Sequence, residues 1–583
     1  MRSSLSAMSC TWATKWLRLL LLLVLPVVAS AQFTYTVNSD GSLNLSSYSG
    51  SAGSVVIPDT TNGLPVTSIG FAAFFENANL TNVTIGTNVV SIGGQAFSYS
   101  DLATVTLPDS VTNLAFDAFF DCNRLTAINV ATNNPLYSSA EGVLFNLDQT
   151  TLIEFPDGKA GSYTIPDSVT NLGVDAFFDC TNLASVFVPA SVIGIGNYAF
   201  YICSSLTAIT VDTNNPVYRS VAGVLFNGSE TTLIQYPAGS AATAYAMPDS
   251  VTNIGSEAFY GSAHLVNVTI GTNVTVVGDA AFEYCPVLAS VTFPASVAVI
   301  QGDAFAECYS LTNVALGAGV TNIEPQAFLG CSSLLAVSVA TNNPAFSSVG
   351  GVLFNLDQTT LVQYPAGSAA TAYVIPNSVT RIQDDAFLEA FNLTSITIGT
   401  NVQSFGDEAF SHCYNLTRIT IPDSVTNLGF STFFECFSLT NVTVGAGVTL
   451  LGFQDFAYCD GLAGIYFQGN APAFDSDVFD GDELVAYYLP GATGWSTVFD
   501  GLPTALWLPL VQTGDASFGA HADGFGFTIN WASGQSVVVQ ASTNLLNPVW
   551  SPVGTNVFAG GSSLFRDAAW TKYPGRFYRL TWL

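Results

Sequence analysis

Few side chains in this sequence are equipped for chemistry, and their spacing narrows the chemistry further. The 583 residues carry three histidines, His264, His412 and His521, far apart and outside any H-E-x-x-H or nucleophile-elbow context. Hydrolytic or metal-assisted catalysis needs a base held beside a nucleophile or a metal, and no histidine nominates such a partner. One acidic cluster stands out, Asp475-Ser476-Asp477-Val478-Phe479-Asp480-Gly481-Asp482-Glu483. A hard cation such as calcium wants several oxygens from one loop. The spacing misses the EF-hand pattern by one residue, however, and the twelfth position from Asp475 is Ala486, so a solvated loop is expected. Nine cysteines lie beyond residue 31, each three residues after a recurring phenylalanine. A one-sided column of single cysteines offers no tetrahedral set for zinc. Neighbouring copies would come within bridging range but with parallel side chains, which favours buried free thiols acting as small apolar fillers. The sequence therefore nominates no catalytic residue, no metal site and no cofactor.

Those cysteines belong to a repeat. Residues 102–124 read L-A-T-V-T-L-P-D-S-V-T-N-L-A-F-D-A-F-F-D-C-N-R, and the core returns as L-T-x-V-T-I-P-x-S-V-T-x-I-G-x-x-A-F-x-x-C. Its anchor is the Phe of A-F, at Phe74, Phe97, Phe119, Phe177, Phe200, Phe259, Phe282, Phe305, Phe328, Phe387, Phe410, Phe433 and Phe456. Successive anchors are 22 or 23 residues apart, except for gaps of 58, 59 and 59 after Phe119, Phe200 and Phe328. Each long gap carries the same text, G-V-L-F-N at Gly142, Gly223 and Gly351, followed by T-L-I/V-x-F/Y-P. A shared insert reads as an enlarged coil, and a fixed period of this length is the signature of a solenoid.

Within a unit the segment before the turn alternates polar and apolar residues, as in 125–130, which predicts a half-buried strand. A P-D-S or G-T-N turn follows, then a second short extended piece and a tight corner around A-F-F-D-C. No window carries an apolar stripe at helical spacing, so few or no long helices are expected. Stacked coils would pair each strand with its copy about 4.8 Å away and would line the phenylalanines into an internal spine. The outward parity of the first strand then presents Asn82 and Thr84, Thr104 and Thr106, Asn267 and Thr269, Ser290 and Thr292, Ser395 and Thr397, and Asn441 and Thr443. Stacked, these make one broad face of hydroxyls and amides with few charges. Such rigid faces dock proteins or glycans without large ordering costs; the alternative is a solvated sheet in which threonine simply favours strands.

The repeat text, with its G-V-L-F-N…L-I-x-Y-P insert, resembles the leucine-rich repeats of BspA-like bacterial surface proteins over residues 33–505. That resemblance implies a right-handed leucine-rich-repeat superhelix on a secreted or cell-surface protein. Several relatives are adhesins for host matrix proteins. It implies no enzymatic activity and no fixed ligand residues.

In chain order, residues 1–31 read as a secretory signal: basic residues, an apolar run, then a small-x-small site at Ala29-Ser30-Ala31. Residues 32–54 form an expected N-terminal hairpin cap, 55–464 the solenoid with enlarged coils around 131–163, 212–245 and 340–373, and 465–507 a C-terminal cap. Residues 508–583 lose the period and show strand-like runs at 525–531, 536–541 and 576–582, which suggests a small β-sandwich. The formal charge is −30, with only five basic residues between positions 32 and 501. Nucleic acid is excluded as a partner, since phosphates need clustered Lys and Arg, and acidic membrane surfaces are disfavoured by the same sign. No span of the mature chain reads as transmembrane. The function expected is extracellular binding or adhesion, with protein or glycan ligands. A structural envelope or matrix component without soluble ligand is the alternative; ice binding and catalysis follow well behind. The recurring N-x-T motifs (among them Asn273, Asn392 and Asn415) are either glycan acceptors or members of an asparagine ladder.

Overall fold

The computed structural model describes residues 32–532, 535–558 and 561–581; the signal expected at 1–31 lies outside them. The chain divides into two compact units, Met1–Gly223 and Val224–Leu583. Both contain β-solenoid of the same coil, the second with a small antiparallel part after it, and among the described residues no α-helix occurs, only a single 3-10 turn at Trp570–Lys572.

One coil has three sides. In the first unit the first side is the column Ser54–Val56, Asn82–Thr84, Thr104–Leu107 and Ala127–Val130, paired in parallel with each strand in register with its copy. Val83, Val105 and Ile128 point inward and are buried. Leu125 is buried too, although its parity is opposite to that of Ile128. It precedes the strand, where the chain is still turning, so alternation does not govern it. The second side is a column of two-residue strands, Ser91–Ile92 and Asn113–Leu114, parallel on Leu64–Ile69. The same two columns recur in the second unit, with Asn267↔Ser290↔Asn313↔Ala336 on the first side and Ile254↔Val277↔Ile300↔Ile323 on the second.

The third side is the corner, and it is neither strand nor helix. The residues two before and two after an anchor are held in the left-handed region, Asp117 before Phe119 excepted: Glu257 at φ 56° and Gly261 at 66° around Phe259, Asp385 at 56° and Glu389 at 58° around Phe387. Between them the backbone hands every second N–H to the next coil, as in Phe387 N–H to Ala409 O at 2.8 Å and Phe410 N–H to Thr432 O at 2.9 Å. The alternating conformation lets a tight corner keep an inter-coil ladder that a plain turn would lose. Non-glycine residues there cost on the order of 1 kcal/mol each. Ser431→Gly, at φ 52°, is therefore expected to raise the unfolding free energy by about 0.5–1 kcal/mol in urea melts; a loss would show that the hydroxyl, not the backbone, matters at that position.

The anchor rings form stacks. Phe74 to Phe97 and Phe97 to Phe119 lie 5.1 and 5.5 Å apart, centroid to centroid, and Phe259, Phe282 and Phe305 follow at 4.5 and 4.9 Å with planes within 13°. Val478-Phe479, which breaks the A-F pattern, continues the last stack at 5.8 Å from Phe456. Beside the spine every cysteine is a buried free thiol. Each Sγ donates to the carbonyl oxygen of an anchor ring one coil earlier, at 3.0–3.5 Å, for instance Cys308 to Phe282 and Cys331 to Phe305. Burial pushes Cys122 and Cys413 up to about 12 and raises Cys180, Cys203, Cys308, Cys331, Cys436 and Cys459 as well, so these remain protonated donors at neutral pH.

Each long gap holds two turns, not one. The acceptor for Cys180 is Phe155, whose ring sits 5.2 Å from Phe177 and whose N–H reaches Ala176 O. Phe155, Tyr236 and Tyr364 are thus the spine members of the enlarged coils, each 22 or 23 residues before the next anchor. The rest of the insert is a hairpin, Tyr137–Ala140 against Val143–Asn146. It turns back on the first strand: Ile128 N–H donates to Gly142 O at 2.8 Å and Val130 N–H to Ser139 Oγ at 2.9 Å. Gly142, Gly223 and Gly351 sit at φ 80°, 83° and 86°, and a Cβ there would lie 2.6–3.0 Å from the Cβ of Ala127, Ala208 and Ala336. Only glycine fits, which explains the invariant G of G-V-L-F-N.

The first coil is covered by Phe33–Val37, antiparallel to Leu43–Tyr48. At the other end Val485–Tyr488 and Leu502–Leu506 extend the strand face, and Trp495 packs on Phe467. Residues beyond 508 form two small antiparallel sheets, one centred on Gly524–Asn530, the other on Ser536–Ser542. Their shared core (Phe527, Ile529, Val537, Val539, Phe565) also takes in Tyr487 and Leu506, and Trp531 Nε1 donates to Trp507 O.

Candidate functional site

The strand face is exposed at most of its outward positions. Asn82, Thr84, Thr104, Thr106, Asn267, Thr269, Ser290, Thr292, Thr397 and Asn441 are exposed, with Ser395 and Thr443 partly covered. Register brings some of them side by side: Asn82 with Thr104, Asn267 with Ser290, and Thr420 with Thr443.

The face is not one broad sheet, however. The hairpin of each enlarged coil takes the N–H groups that the next coil would have used, so the face is cut into separate sheets. One runs from Ser54–Val56 to Ala127–Val130, one holds Gly161–Thr164, Leu183–Val188 and Ala208–Val211, one spans Ala244–Ala246 to Ala336–Val339, and one runs from Ala372–Val374 to Leu502–Leu506. The twelve residues are shared among the first, third and fourth of these.

Two populations of threonine and asparagine differ in what they do. The Thr of L-T just before each strand spends its hydroxyl inside the fold: Thr312 on Ala289 O, Thr417 on Thr394 O and Thr440 on Thr417 O, each at 3.0 Å. Asn273, Asn392 and Asn415 likewise donate Nδ2 to a carbonyl 24 residues earlier, at 2.7–3.0 Å. Among the described residues the twelve outward residues make no side-chain hydrogen bond at all, so their donors and acceptors are left to water or a ligand.

Carboxylates gather elsewhere, at the left-handed corner positions: Asp121, Asp179, Asp303, Glu307, Glu389, Glu408 and Glu435 among them. Asp and Asn tolerate this conformation better than most residues, and the outcome is an acidic ridge beside a nearly uncharged face. Burial, with the Asp121 charge, pushes Asp179 up to about 7, and burial with Glu408 does the same to Asp385.

The remaining candidates are structural. Residues 475–483 are one more corner rather than a loose loop, with Asp477 and Gly481 left-handed about Phe479. Asp480 accepts from Tyr458 Oη at 2.8 Å and Asp482 from Cys459 N–H at 3.3 Å, so these carboxylates tie coil to coil. His412 has Nδ1 2.7 Å from Ser411 Oγ and Nε2 3.5 Å from Glu435, an arrangement with the look of a relay; but Ser411 is fully buried and the set braces the corner. His264 is exposed, and His521 Nε2 lies 3.0 Å from Ser517 O. No group of three or more His, Cys, Asp or Glu among the described residues is placed to hold a metal ion. No helix there is long and apolar enough to cross a membrane.

Comparison with known proteins matches residues 47–160, 153–238, 238–349 and 366–485 to the BspA type leucine rich repeat region. Among solved structures, a leucine rich cell surface protein of Faecalibacterium prausnitzii A2-165 is similar at 22% identity over 76% of this chain and 96% of that one, TM-score 0.35. The pneumococcal vaccine antigen PcpA is similar at 21% identity over 61% and 91%, TM-score 0.39, and a leucine-rich repeat protein from Bacteroides ovatus at 20% over 75% and 93%, TM-score 0.29. No curated protein matches.

Proposed function

The chain belongs to the BspA-type leucine-rich-repeat family, and on that premise we propose that it is a secreted or cell-surface protein that holds protein or glycan ligands against its strand faces, without catalysis. The family supports a surface or binding role. The observation that carries the finer reading is the division of labour among polar side chains. Threonines and asparagines that could stabilise the fold are already engaged in it, while the outward set is unengaged, rigidly spaced and nearly free of charge. A rigid array of hydroxyls and amides loses little freedom on binding.

Protein and glycan arrays probed with residues 32–583 test this reading directly. Thr106→Arg, Ser290→Arg and Thr443→Arg place a bulky cation on three different sheets, each change within about 0.5 kcal/mol of neutral for stability. Capture by the parent protein, with at least a tenfold loss in one of the three variants, is the expected result. Capture untouched by any of them removes the strand faces from the account. A parent protein that captures nothing and polymerises would instead mark a structural envelope component.

A further inference from the structure

The corner ridge has a gap in the first unit, at the first enlarged coil. Ordinary coils fill this side with the residues flanking A-F; here the chain runs Ile153-Glu154-Phe155-Pro156-Asp157, and a notch of about 390 Å³ opens above it. Its wall is a run of rings: Phe120 to Phe178 at 4.7 Å, Phe178 to Tyr201 at 5.3 Å and Tyr201 to Tyr198 at 5.9 Å. Its floor is acidic. Asp157 is 5% exposed, with only Oδ2 engaged, accepting from Cys122 N–H at 3.0 Å. The Glu154 side chain lines the same notch and accepts no hydrogen bond from any described residue, and Asp117 and Asp175 line it too. No Lys or Arg lines it; Arg124 pairs with Asp101 and Lys159 Nζ donates to Glu141 O.

The repeat supplies its own control. At the positions of Glu154 and Asp157 the second enlarged coil has Gln235 and Ala238, and the third has Gln363 and Ala366. The corresponding space in the third, lined by Gln363, Glu324 and Asp385, is about 20 Å³. The fold therefore does not require carboxylates there, and burying them uncompensated is costly. Only the first copy keeps both the charges and the room.

We propose that this notch binds an alkylammonium group, its charge met by Glu154 and Asp157 and its methylenes lying along the Phe120–Phe178–Tyr201 wall. A neutral polyol could also stack on rings, but it would do nothing to stabilise the ionised carboxylates that burial disfavours. A cation neutralises them and gains from the ring faces as well. The ammonium could belong to a free amine or to a lysine side chain of a polypeptide. The proposal does not rest on the strand faces, and an empty array leaves it intact.

Titration calorimetry at low salt with residues 32–583 provides the test, using 1,5-diaminopentane, its neutral isostere pentane-1,5-diol, and Nα-acetyl-lysine methylamide. The diamine or the lysine amide is expected to bind, the tighter of the two naming the source, and the diol not to bind. Glu154→Gln, which installs the residue of the sibling coils, is expected to weaken binding at least tenfold without lowering the melting temperature. Glu283→Gln, a carboxylate of the second unit, is expected to leave it unchanged. The idea fails if neither amine binds at millimolar concentration, if the diol binds as well as the diamine, or if the two variants lose affinity equally.

Discussion

Phe305→Ala is expected to lower the unfolding free energy by about 4 kcal/mol, within the range for emptying a buried aromatic site. Phe305 is fully buried, 4.9 Å from Phe282, 5.8 Å from Phe328 and edge-on to Phe293 at 5.6 Å. Neighbouring rings are fixed by their own ladder bonds, Phe282 N–H to Ala304 O and Phe305 N–H to Ala327 O, so the hole cannot close by a local shift. The doubled-ring neighbour Phe75 is 39% exposed, and Phe75→Ala is expected to cost less than about 1 kcal/mol. Because coils couple chiefly to their neighbours, hydrogen exchange should quicken most in the coils of Phe282, Phe305 and Phe328. Equal losses for the two variants in urea melts would remove the spine from its central place.

Acidification from pH 8 to pH 5 is expected to stabilise the protein. Burial, aided by neighbouring like charges, pushes Asp179, Glu283, Asp385 and Asp482 up to about 7. Burial pushes Asp455 to about 7 against the hydrogen bonds from Gly452 and Thr432, and Glu154 to about 8. In the unfolded chain these groups titrate near 4. Between the two values the folded protein binds more protons, so stability grows as pH falls through 8 and 7 and levels off near 4. Glu154, raised furthest, and the fully buried Asp455 contribute most, and water screens the more exposed Glu283 and Asp482. The sum is on the order of a few kcal/mol and several degrees in melting temperature. Asp40 and Asp515, held low by Ser42 and Ser517, act in the opposite sense only below pH 4. Melting temperatures that stay level or drop between pH 8 and pH 5 would show that the corner charges are relieved in some other way.

The spine was legible because phenylalanine at a fixed spacing has one economical explanation, and the strand columns because Thr-Val-Thr alternation does too. The corner ladder was not. Its left-handed positions hold Glu, Asp, Gln, Ala, Tyr and even Ile202, with glycine at only a few, so no residue type betrays the backbone. The extra turn in each long gap was written in the spacing of Phe155, Tyr236 and Tyr364, but a search for A-F passes over I-E-F and I-Q-Y. The interruption of the strand face followed from the same text: a hairpin that claims the N–H of Ile128 denies it to the next strand. Glu154 and Asp157 needed only a comparison with their siblings; whether rings would surround them needed coordinates, because Phe120 and Phe178 are separated by a whole extra coil in sequence.

The corner hydrogen bonds also have a direction. Beside the anchors each coil gives amide hydrogens to the following coil and takes them from the preceding one, while the strand sides also send N–H groups back, as in Gly93 to Ile69 O and Thr126 to Ala103 O. An in-frame gene duplication or deletion of one 23-residue period leaves donor against acceptor at each junction. A change that is not a whole period breaks the register of those bonds at the junction. Gain or loss of a whole period is therefore the change of length that disturbs the inter-coil ladders least.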